Sequence, residues 1–477
     1  MSLGAPPPDD GAQAAADAAE LERFGYKQEL RRGIGGFGSF ALSFSVVSIL
    51  TGAVQLYGHG LRFGGPLVMS LGWWAVSLAT LTVAMSMAEL ASALPMAGGP
   101  YPWARALGGD GAGFFTAWFL LLGQIAVVAG VDYGLAQFLA PMLGLGGERA
   151  TVLALFGALV GLHGLLNHVG VRVVNVCNGL SAWYHLAGVA LLIGLLVVLA
   201  PLAPLARMSE SAAPAGMGLG YAFVIGLLQA QWTFTGYEAA ANVTEETLDP
   251  RWVAPWGIFL SVAVSAVFGS ALLVAVTLAA GDLGAARAAE NPFLHALGAA
   301  LGPRLGTALV WVAMGAMWFC GLGSVTSTSR LVYAYARDRG LPPSLARVSP
   351  RFRTPAVAIW ATCAGAVALA LWSRAYEIMI AISTLGFYLA YALPVACLVL
   401  ARRSGRAPTP GPWHLGRFAP LVNAIALGWT AFITVVFVLP QNDRDGLTTA
   451  YTLGGVLLAL SSAYALHRVR RSARSAP

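Results

Sequence analysis

The sequence predicts an all-α polytopic membrane protein, and three observations support this fold class. Of the 477 residues, 57% are hydrophobic and only 10% are charged, and the mean hydropathy of +0.71 is far above that of an ordinary soluble protein. The apolar residues fall into runs of about 20 residues, the length that an α-helix needs to cross the hydrocarbon core. Basic residues collect on one side of these runs, as the positive-inside rule predicts.

Twelve runs are long enough to be predicted as transmembrane spans. We number them spans 1 to 12 in chain order. Their predicted limits are 34–57, 65–90, 112–142, 150–167, 173–200, 217–242, 254–280, 305–335, 356–373, 376–401, 418–440 and 448–467.

An even number of spans places both termini on the same side of the membrane. With the termini inside, the outer segments hold seven arginines, and every other Lys and Arg of the 28 lies on an inner segment. This bias of about three to one predicts cytoplasmic tails at 1–33 and 468–477. A single lysine, Lys27, is typical of GC-rich bacterial codon usage, so we expect a bacterial plasma membrane protein. The outer arginines are Arg62, Arg149, Arg207, Arg287, Arg304, Arg374 and Arg444.

Composition also excludes some functions. The net charge of +7 lies in loops beside the spans, so it indicates contact with the lipid bilayer and not with nucleic acid. The four cysteines have no metal-ligand spacing, and we expect no metal and no cofactor. The chain has no GxxxxGK[ST] phosphate loop, which excludes an ATP-driven motor within it.

Two Thr-Gly pairs interrupt apolar runs at similar places, and they predict a binding site. Thr51-Gly52 lies in span 1 and Thr235-Gly236 in span 6. Where a helix unwinds inside the bilayer, a solute or the protein must satisfy its free peptide groups, and paired interruptions in two halves of a chain indicate a transporter site. The alternative is that Gly52 and Gly236 only allow helices to pack closely.

Ionisable and aromatic residues accompany the second interruption. Glu238 lies before the end of span 6, and because a carboxylate at that depth costs about 2.5–3.5 kcal/mol, we expect it to bind an ammonium group, carry a coupling proton or contact a neighbouring helix. Phe234 and Tyr237 flank the break and either close over a substrate or pack in the core.

Spans 3 and 8 carry further polar candidates. Gln124 and Asp132 are eight residues apart, so they lie on a similar face of span 3, two turns apart. Ser324, Ser327 and Thr328 share a face of span 8. Their hydroxyl groups either contribute oxygens to a sodium site or bond back to their own helix.

Spans 4 and 5 carry histidines that suggest a different class of protein. His163 and His185 would suit a membrane-embedded enzyme. No carboxylate or nucleophile is tied to them by spacing, so we prefer hydrogen bonding between helices and expect no catalytic residue.

Several motifs, in the right order over the first ten spans, resemble the amino acid, polyamine and organocation permease superfamily, most closely its amino acid/choline transporter branch. The motifs are SILTG (48–52), GGPLVMSLGWW (64–74), AELASALPMAGGPYPWA (88–104), FTGYEAAANVTEET (234–247) and SRLVYAYARDRGLP (329–342).

The resemblance implies a leucine-transporter-like 5+5 inverted repeat: residues 34–200 form the first repeat, 217–401 the second, and 418–467 two peripheral helices. It also implies roles for residues at matching positions. Gln124 would line the site, and Ser324 and Thr328 match its cation-site region. Substrate would contact Ser48, Ile49, Thr51 and Gly52 at its carboxylate, and Phe234, Gly236 and Tyr237 at its ammonium group and aromatic gate, with Thr235 as a further substrate-binding residue. Glu238 and Asp132 are candidate coupling residues because their carboxyl groups are titratable.

These observations predict an ion-coupled importer of an amino acid or small amine, with protons favoured over sodium. The alternatives are an exchanger, a polyamine or choline-type transporter, a nutrient sensor, and the enzyme of spans 4 and 5. The sequence pattern indicates no particular oligomeric state.

Overall fold

The computed structural model describes residues 10–372, 376–438, 451 and 454–465, and these residues are helical with short connections. Nine of the described helices are long and apolar enough to cross a membrane, by length and composition. The all-α polytopic fold is therefore confirmed, while the count of twelve spans stays a prediction. Predicted span 9 is the shorter apolar helix Ala356–Trp372, and the described part of predicted span 12 is the helix Gly454–Ala465.

The helices that occupy the predicted spans often extend beyond the apolar runs. Spans 3 and 8 each begin about a dozen residues early, at Pro100 and Pro292, and bend at a glycine of positive φ, Gly109 (82°) and Gly302 (78°). Hydropathy marks only the membrane-length part of such helices, so their polar ends are missed. The other helices are Trp73–Ala93, Arg149–Val169, Val171–Leu199, Pro250–Ala279, Tyr376–Arg403 and Ala419–Val438.

Spans 1 and 6 differ from the rest because each is divided into short helices. Span 1 consists of Gly36–Val47 and Ile49–Gln55, and span 6 of Leu219–Gly226, Leu228–Thr233 and Ala239–Asn242. Residues 41–54 and 225–247 are buried without exception. The interrupted segments therefore lie in the protein interior, where their free peptide groups have polar partners instead of lipid.

The continuous helices enclose these two segments. Span 3 packs along span 10, span 7 packs against spans 1 and 2, and span 8 packs against spans 3 and 5. Spans 4 and 5 each keep an exposed apolar face, with side chains such as Leu165 and Trp183 more than half exposed. Such faces suit contact with lipid.

The N-terminal tail packs against the end of the span 6 segment. The amides of Gly33 and Ile34 both donate to the carbonyl of Glu246 at 2.9 Å, and the amide of Leu248 donates to the carbonyl of Ile34 at 2.9 Å. A helix, Asp10–Arg23, precedes this contact, and Asp17 accepts a hydrogen bond from the amide of Asp249 at 2.9 Å. The tail predicted at 1–33 thus holds the chain just after the second break.

Short helical turns complete the connections. They are Tyr57–Arg62, Val68–Gly72, Leu205–Ser209, Thr244–Glu246, Leu283–Ala288, Pro343–Ala346 and Gly416–Phe418.

Candidate functional site

The first interruption lies at Ser48, so the prediction that the chain unwinds at Thr51-Gly52 is wrong. Ser48 has left-handed backbone angles (φ 39°, ψ 83°) between the two helices of span 1, whereas Gly52 lies inside the second of them, Ile49–Gln55. Gly52 serves close packing instead, because a Cβ there would lie 2.0 Å from the Oγ1 of Thr233 in span 6. This is the packing role that the sequence analysis gave as its alternative.

A histidine from span 5 supports the first break. The Nδ1 of His185 donates to the carbonyl of Ser181 at 2.8 Å, which leaves its Nε2 as the acceptor for the Ser48 hydroxyl at 2.8 Å. The Ser48 oxygen also lies 2.5 Å from the Thr51 oxygen. This contact confirms the hydrogen bonding between helices that we preferred for His185, although no spacing in the sequence relates it to Ser48.

The second interruption lies where the sequence predicted it, at residues 234–238. Gly236 has φ of +83°, and a Cβ there would lie 2.3 Å from the Cγ1 of Val46 beside the first break. Both the backbone angle and the lack of space require glycine. The amide of Gly236 donates to the Tyr391 hydroxyl of span 10 at 3.0 Å.

Glu238 joins three elements at the second break. Its Oε1 accepts a hydrogen bond from the Nε2 of Gln124 on span 3 at 2.7 Å, and its Oε2 accepts one from the hydroxyl of Tyr391. Glu238 is fully buried, and donors to both carboxylate oxygens stabilise its charged form. Sequence reasoning missed Tyr391, because nothing in LGFYLAYALP separates it from the other aromatic residues.

The polar network continues towards span 8. Gln124 donates to the Ser327 hydroxyl at 3.2 Å, and Asn242 donates to the same oxygen at 2.8 Å. The Ser43 hydroxyl donates to the carbonyl of Tyr237 at 2.8 Å and accepts from the amide of Ala240 at 2.9 Å. Peptide groups at the second break are thus held by side chains of spans 1 and 10, whereas Gln124 of span 3 and Ser327 of span 8 bond to side chains of the same segment.

A small cleft lies between the two interrupted spans. It offers about 10 Å³ for the centre of a water molecule, which is room for about one water. Of the predicted substrate-binding residues, Thr51, Gly52 and Thr235 line it. The other lining residues are Val46, Val47, Val127, Val131, Trp232, Thr233 and Cys320.

The remaining predicted residues surround this cleft without lining it. Phe234 packs on Trp73, with the ring centres 4.8 Å apart, and Tyr237 packs on Tyr391 at 4.9 Å. Gln124 is occupied by Glu238. Ser48, Ile49 and Gly236 are fully or almost fully buried at the breaks themselves.

The candidate coupling residues lie in separate places. Ser324 and Thr328 donate to the carbonyls of Cys320 and Ser324, at 2.8 and 2.7 Å, so both hydroxyl protons bond back to span 8. Asp132 lies apart from Glu238 and pairs with His163 of span 4, whose Nδ1 is 3.1 Å from its Oδ2. The carboxylate that spacing failed to find for His163 is therefore present.

Two ion pairs lie at the end of the span 6 segment, after the second break. Arg330 of span 8 holds Glu246 with two hydrogen bonds, of 2.8 and 3.0 Å, and both side chains are fully buried. Arg337 donates to Glu245 at 2.8 Å. These charge-assisted hydrogen bonds hold the segment that follows the second break.

Comparison with known proteins places this geometry in a family. The sequence model described as "Amino acid permease" matches residues 34–460. The chain is 34% identical to "Amino-acid permease BAT1" of Arabidopsis thaliana, with 88% of each chain covered, and 34% identical to "Amino-acid permease BAT1 homolog" of Oryza sativa subsp. japonica, with 97% of this chain and 96% of that relative covered.

A fungal relative extends the set. The chain is 28% identical to "GABA-specific permease" of Saccharomyces cerevisiae, with 92% of this chain and 81% of that relative covered. These relatives come from a plant, a crop grass and a yeast, so they give no support to a bacterial source. They are named as transporters and not as enzymes, so the hypothesis of a membrane enzyme that uses His163 and His185 is rejected. The chain belongs to the amino acid permease family, and it is a multi-pass membrane transporter.

Proposed function

We propose that this permease is a secondary-active importer of an amino acid or a related small amine, coupled to an ion gradient and working by alternating access. The observation that supports it most is the pair of adjacent breaks, at Ser48 and at residues 234–238, inside two fully buried segments. Broken helices meeting in a protein interior are the arrangement by which membrane transporters bind solutes near the bilayer midplane.

The proposal includes the full architecture of the family. We place twelve spans in a 5+5 inverted repeat with two peripheral helices, and both termini inside a plasma membrane. The buried Arg330–Glu246 pair and the docked N-terminal tail then close the inner end below the breaks. The cleft has room for about one water molecule, so substrate entry requires the helices to move apart.

The substrate class follows from the groups around the breaks. Thr51, Gly52 and Thr235 offer hydroxyl and peptide groups within an otherwise apolar cleft, which suits a compact zwitterion. Relatives named as amino-acid and GABA-specific permeases favour α- or ω-amino acids over choline and polyamines, which lack a carboxylate.

Coupling to protons is favoured over coupling to sodium. Glu238 and Asp132 are fully buried carboxylates, and each can bind a proton. A unit charge moving down 100 mV releases about 2.3 kcal/mol, and since 1.4 kcal/mol is tenfold in concentration, this sustains accumulation of about fiftyfold.

A two-stage experiment tests the proposal. Purified protein is screened by thermal shift against amino acids, GABA, choline and polyamines at two pH values, because a bound ligand raises the melting temperature. The best ligand is then tested, radiolabelled, for uptake into proteoliposomes. We expect a shift with an amino acid and uptake of the same compound; a shift without uptake indicates a sensor, and uptake driven only by internal amino acid indicates an exchanger.

A matched pair of variants locates the site. Glu238→Gln puts an amide opposite the donors of Gln124 and Tyr391, so we expect the ligand-induced shift and the uptake to fall at least tenfold. Glu148→Gln, at an exposed position between spans 3 and 4, is the control and should match the wild type. Equal uptake by the two variants would contradict a site at the second break.

A further inference from the structure

A second buried polar centre lies outside the network of the breaks, between spans 3, 4 and 8. Asp132 and His163 are both fully buried, and the Oδ2 of the carboxylate faces the Nδ1 of the ring at 3.1 Å. An ionised carboxylate only accepts hydrogen bonds, so the ring must donate from Nδ1. The Nε2 of a neutral ring is then an acceptor.

Each member of the pair keeps one atom without a partner. Among the described residues, the Oδ1 of Asp132 and the Nε2 of His163 have no hydrogen-bond partner. Both atoms are acceptors with a free lone pair, so either takes up a proton without breaking the bond between the two side chains. Uptake of one proton changes the net charge of the pair from −1 to 0, and a neutral pair is less costly to bury.

Aromatic and thiol side chains surround the pair. The rings of Trp318 and His163 form a T-shaped contact, with the ring centres 5.2 Å apart and the planes at 63°, which is a favourable aromatic arrangement. Cys320 on span 8 is the chain neighbour of Gly321, and the thiol of Cys363 on span 9 lies against Gly164, the chain neighbour of His163. Within the described ranges, His163 is the basic side chain that pairs with Asp132.

The other titratable groups on adjacent elements are already engaged. His185 on span 5 bonds to Ser48, and Tyr391 on span 10 bonds to Glu238. Tyr388, also on span 10, donates to the carbonyl of Phe234 at 3.2 Å. Arg330, on span 8, is paired with Glu246.

The pair lies directly beside the cleft. Val131 and Cys320 line the cleft, and they are the chain neighbours of Asp132 and of Gly321. A Cβ at Gly321 would lie 2.0 Å from the Oδ1 of Asp132 and 2.7 Å from the Cε1 of His163, so the pair touches the bare backbone of span 8. A movement of spans 3 and 8 that admits substrate therefore also changes the surroundings of the pair.

Hydrogen bonds connect the helix that carries His163 to the Arg330–Glu246 ion pair. The side-chain amide of Asn167 donates to the carbonyl of His163 at 3.0 Å, and its oxygen accepts from Thr326 at 2.8 Å and from Arg330 at 3.3 Å. Arg330 in turn holds Glu246. Asn167 thus connects span 4, which carries His163, to Arg330 and the segment after the second break.

We propose that the Asp132–His163 pair, and not Glu238, binds the proton that is transported together with the substrate. Both oxygens of Glu238 already accept hydrogen bonds from Tyr391 and Gln124, whereas Asp132 and His163 each keep an acceptor atom without a partner. The pair takes one proton when the cleft faces outwards and releases it when the cleft faces inwards. This inference rests on the proposed function, because the pair would couple the proposed import of substrate to the proton gradient.

The experiment separates coupled uptake from exchange. Proteoliposomes carry a pH gradient of one unit, acid outside, with the membrane potential clamped at zero, and the probes are ¹⁴C-labelled amino acids and GABA. One proton per substrate limits accumulation to about tenfold. Counterflow, the exchange of labelled probe for the same unlabelled probe inside, needs binding and movement but no net release of the proton.

We expect Asp132→Asn and His163→Gln to lower accumulation from about tenfold to about one, while counterflow stays within threefold of the wild type. Both replacements keep the size and polarity of the side chain but do not titrate in this range. Gly130→Ala and Gly161→Ala, each two residues before the changed position in open space, are the matched controls and should accumulate like the wild type.

Other outcomes overturn the proposal. Accumulation near tenfold in Asp132→Asn shows that the proton binds elsewhere, and loss of counterflow together with accumulation shows that the pair only holds spans 3 and 4 together. A wild-type protein that exchanges none of the probes contradicts the transport function itself, and with it the coupling role of the pair.

Discussion

The two breaks achieve a similar backbone interruption by different means. At the second break the glycine is indispensable, since Gly236 combines a φ of +83° with a Cβ position 2.3 Å from Val46. At the first break a serine adopts the left-handed conformation, and its hydroxyl is held by His185. One break is thus encoded in the residue itself, whereas the other depends on a partner 137 positions away.

The largest effect is expected for Gly236→Ala. The added Cβ meets both left-handed strain, about 1–3 kcal/mol, and the side chain of Val46, so we expect a lower melting temperature and at least a tenfold loss of counterflow. Gly220→Ala, in the same span but in open space, is the control. Retention of wild-type counterflow by Gly236→Ala would show that the second break tolerates an ordinary residue.

The next effect is expected for Gly52→Ala, which tests packing and not unwinding. The new Cβ would lie 2.0 Å from Thr233, and overpacking of this kind costs about 1–3 kcal/mol. Because the obstacle is a side chain, adding Thr233→Gly should recover part of the melting temperature. No recovery in the double variant would indicate that Gly52 is required for its backbone.

The smallest effect is expected for the difference between Ser48→Gly and Ser48→Ala. Both lose the hydrogen bond to His185, but glycine relieves the left-handed strain that alanine keeps, about 1–2 kcal/mol. Ser48→Gly should therefore be the more stable of the two in thermal unfolding. The reverse order would mean that the backbone at Ser48 is not strained.

The same comparison explains how far the sequence could be interpreted. Gly236 was predictable because an interruption residue and an ionisable one, Glu238, stand together in an apolar run. Ser48 entered only through the resemblance, since serine rarely adopts positive φ and SVVSIL otherwise reads as continuous helix. The Thr-Gly pair alone led to the wrong prediction of a break at Gly52, where the glycine instead allows close packing against span 6.

Pairs formed by tertiary packing were out of reach. Asp132 and His163 are 31 residues apart, and Glu238 and Tyr391 are 153 apart, so no helical spacing connects them. The membrane-length apolar runs follow from local composition, whereas the partner of a buried polar group depends on how distant helices cross. The fold class was therefore predictable, whereas the hydrogen-bond partners within the site were not.

The contact between Ile34 and the chain after the second break has a practical consequence. Peptide groups of the tail are paired with Glu246 and Leu248, a few residues beyond Asn242, where the last short helix of span 6 ends. A protein, a lipid headgroup or a covalent label that binds the tail would therefore act through these hydrogen bonds on the interrupted segment of span 6. In the proposed transport cycle, opening at that end requires these backbone hydrogen bonds to separate.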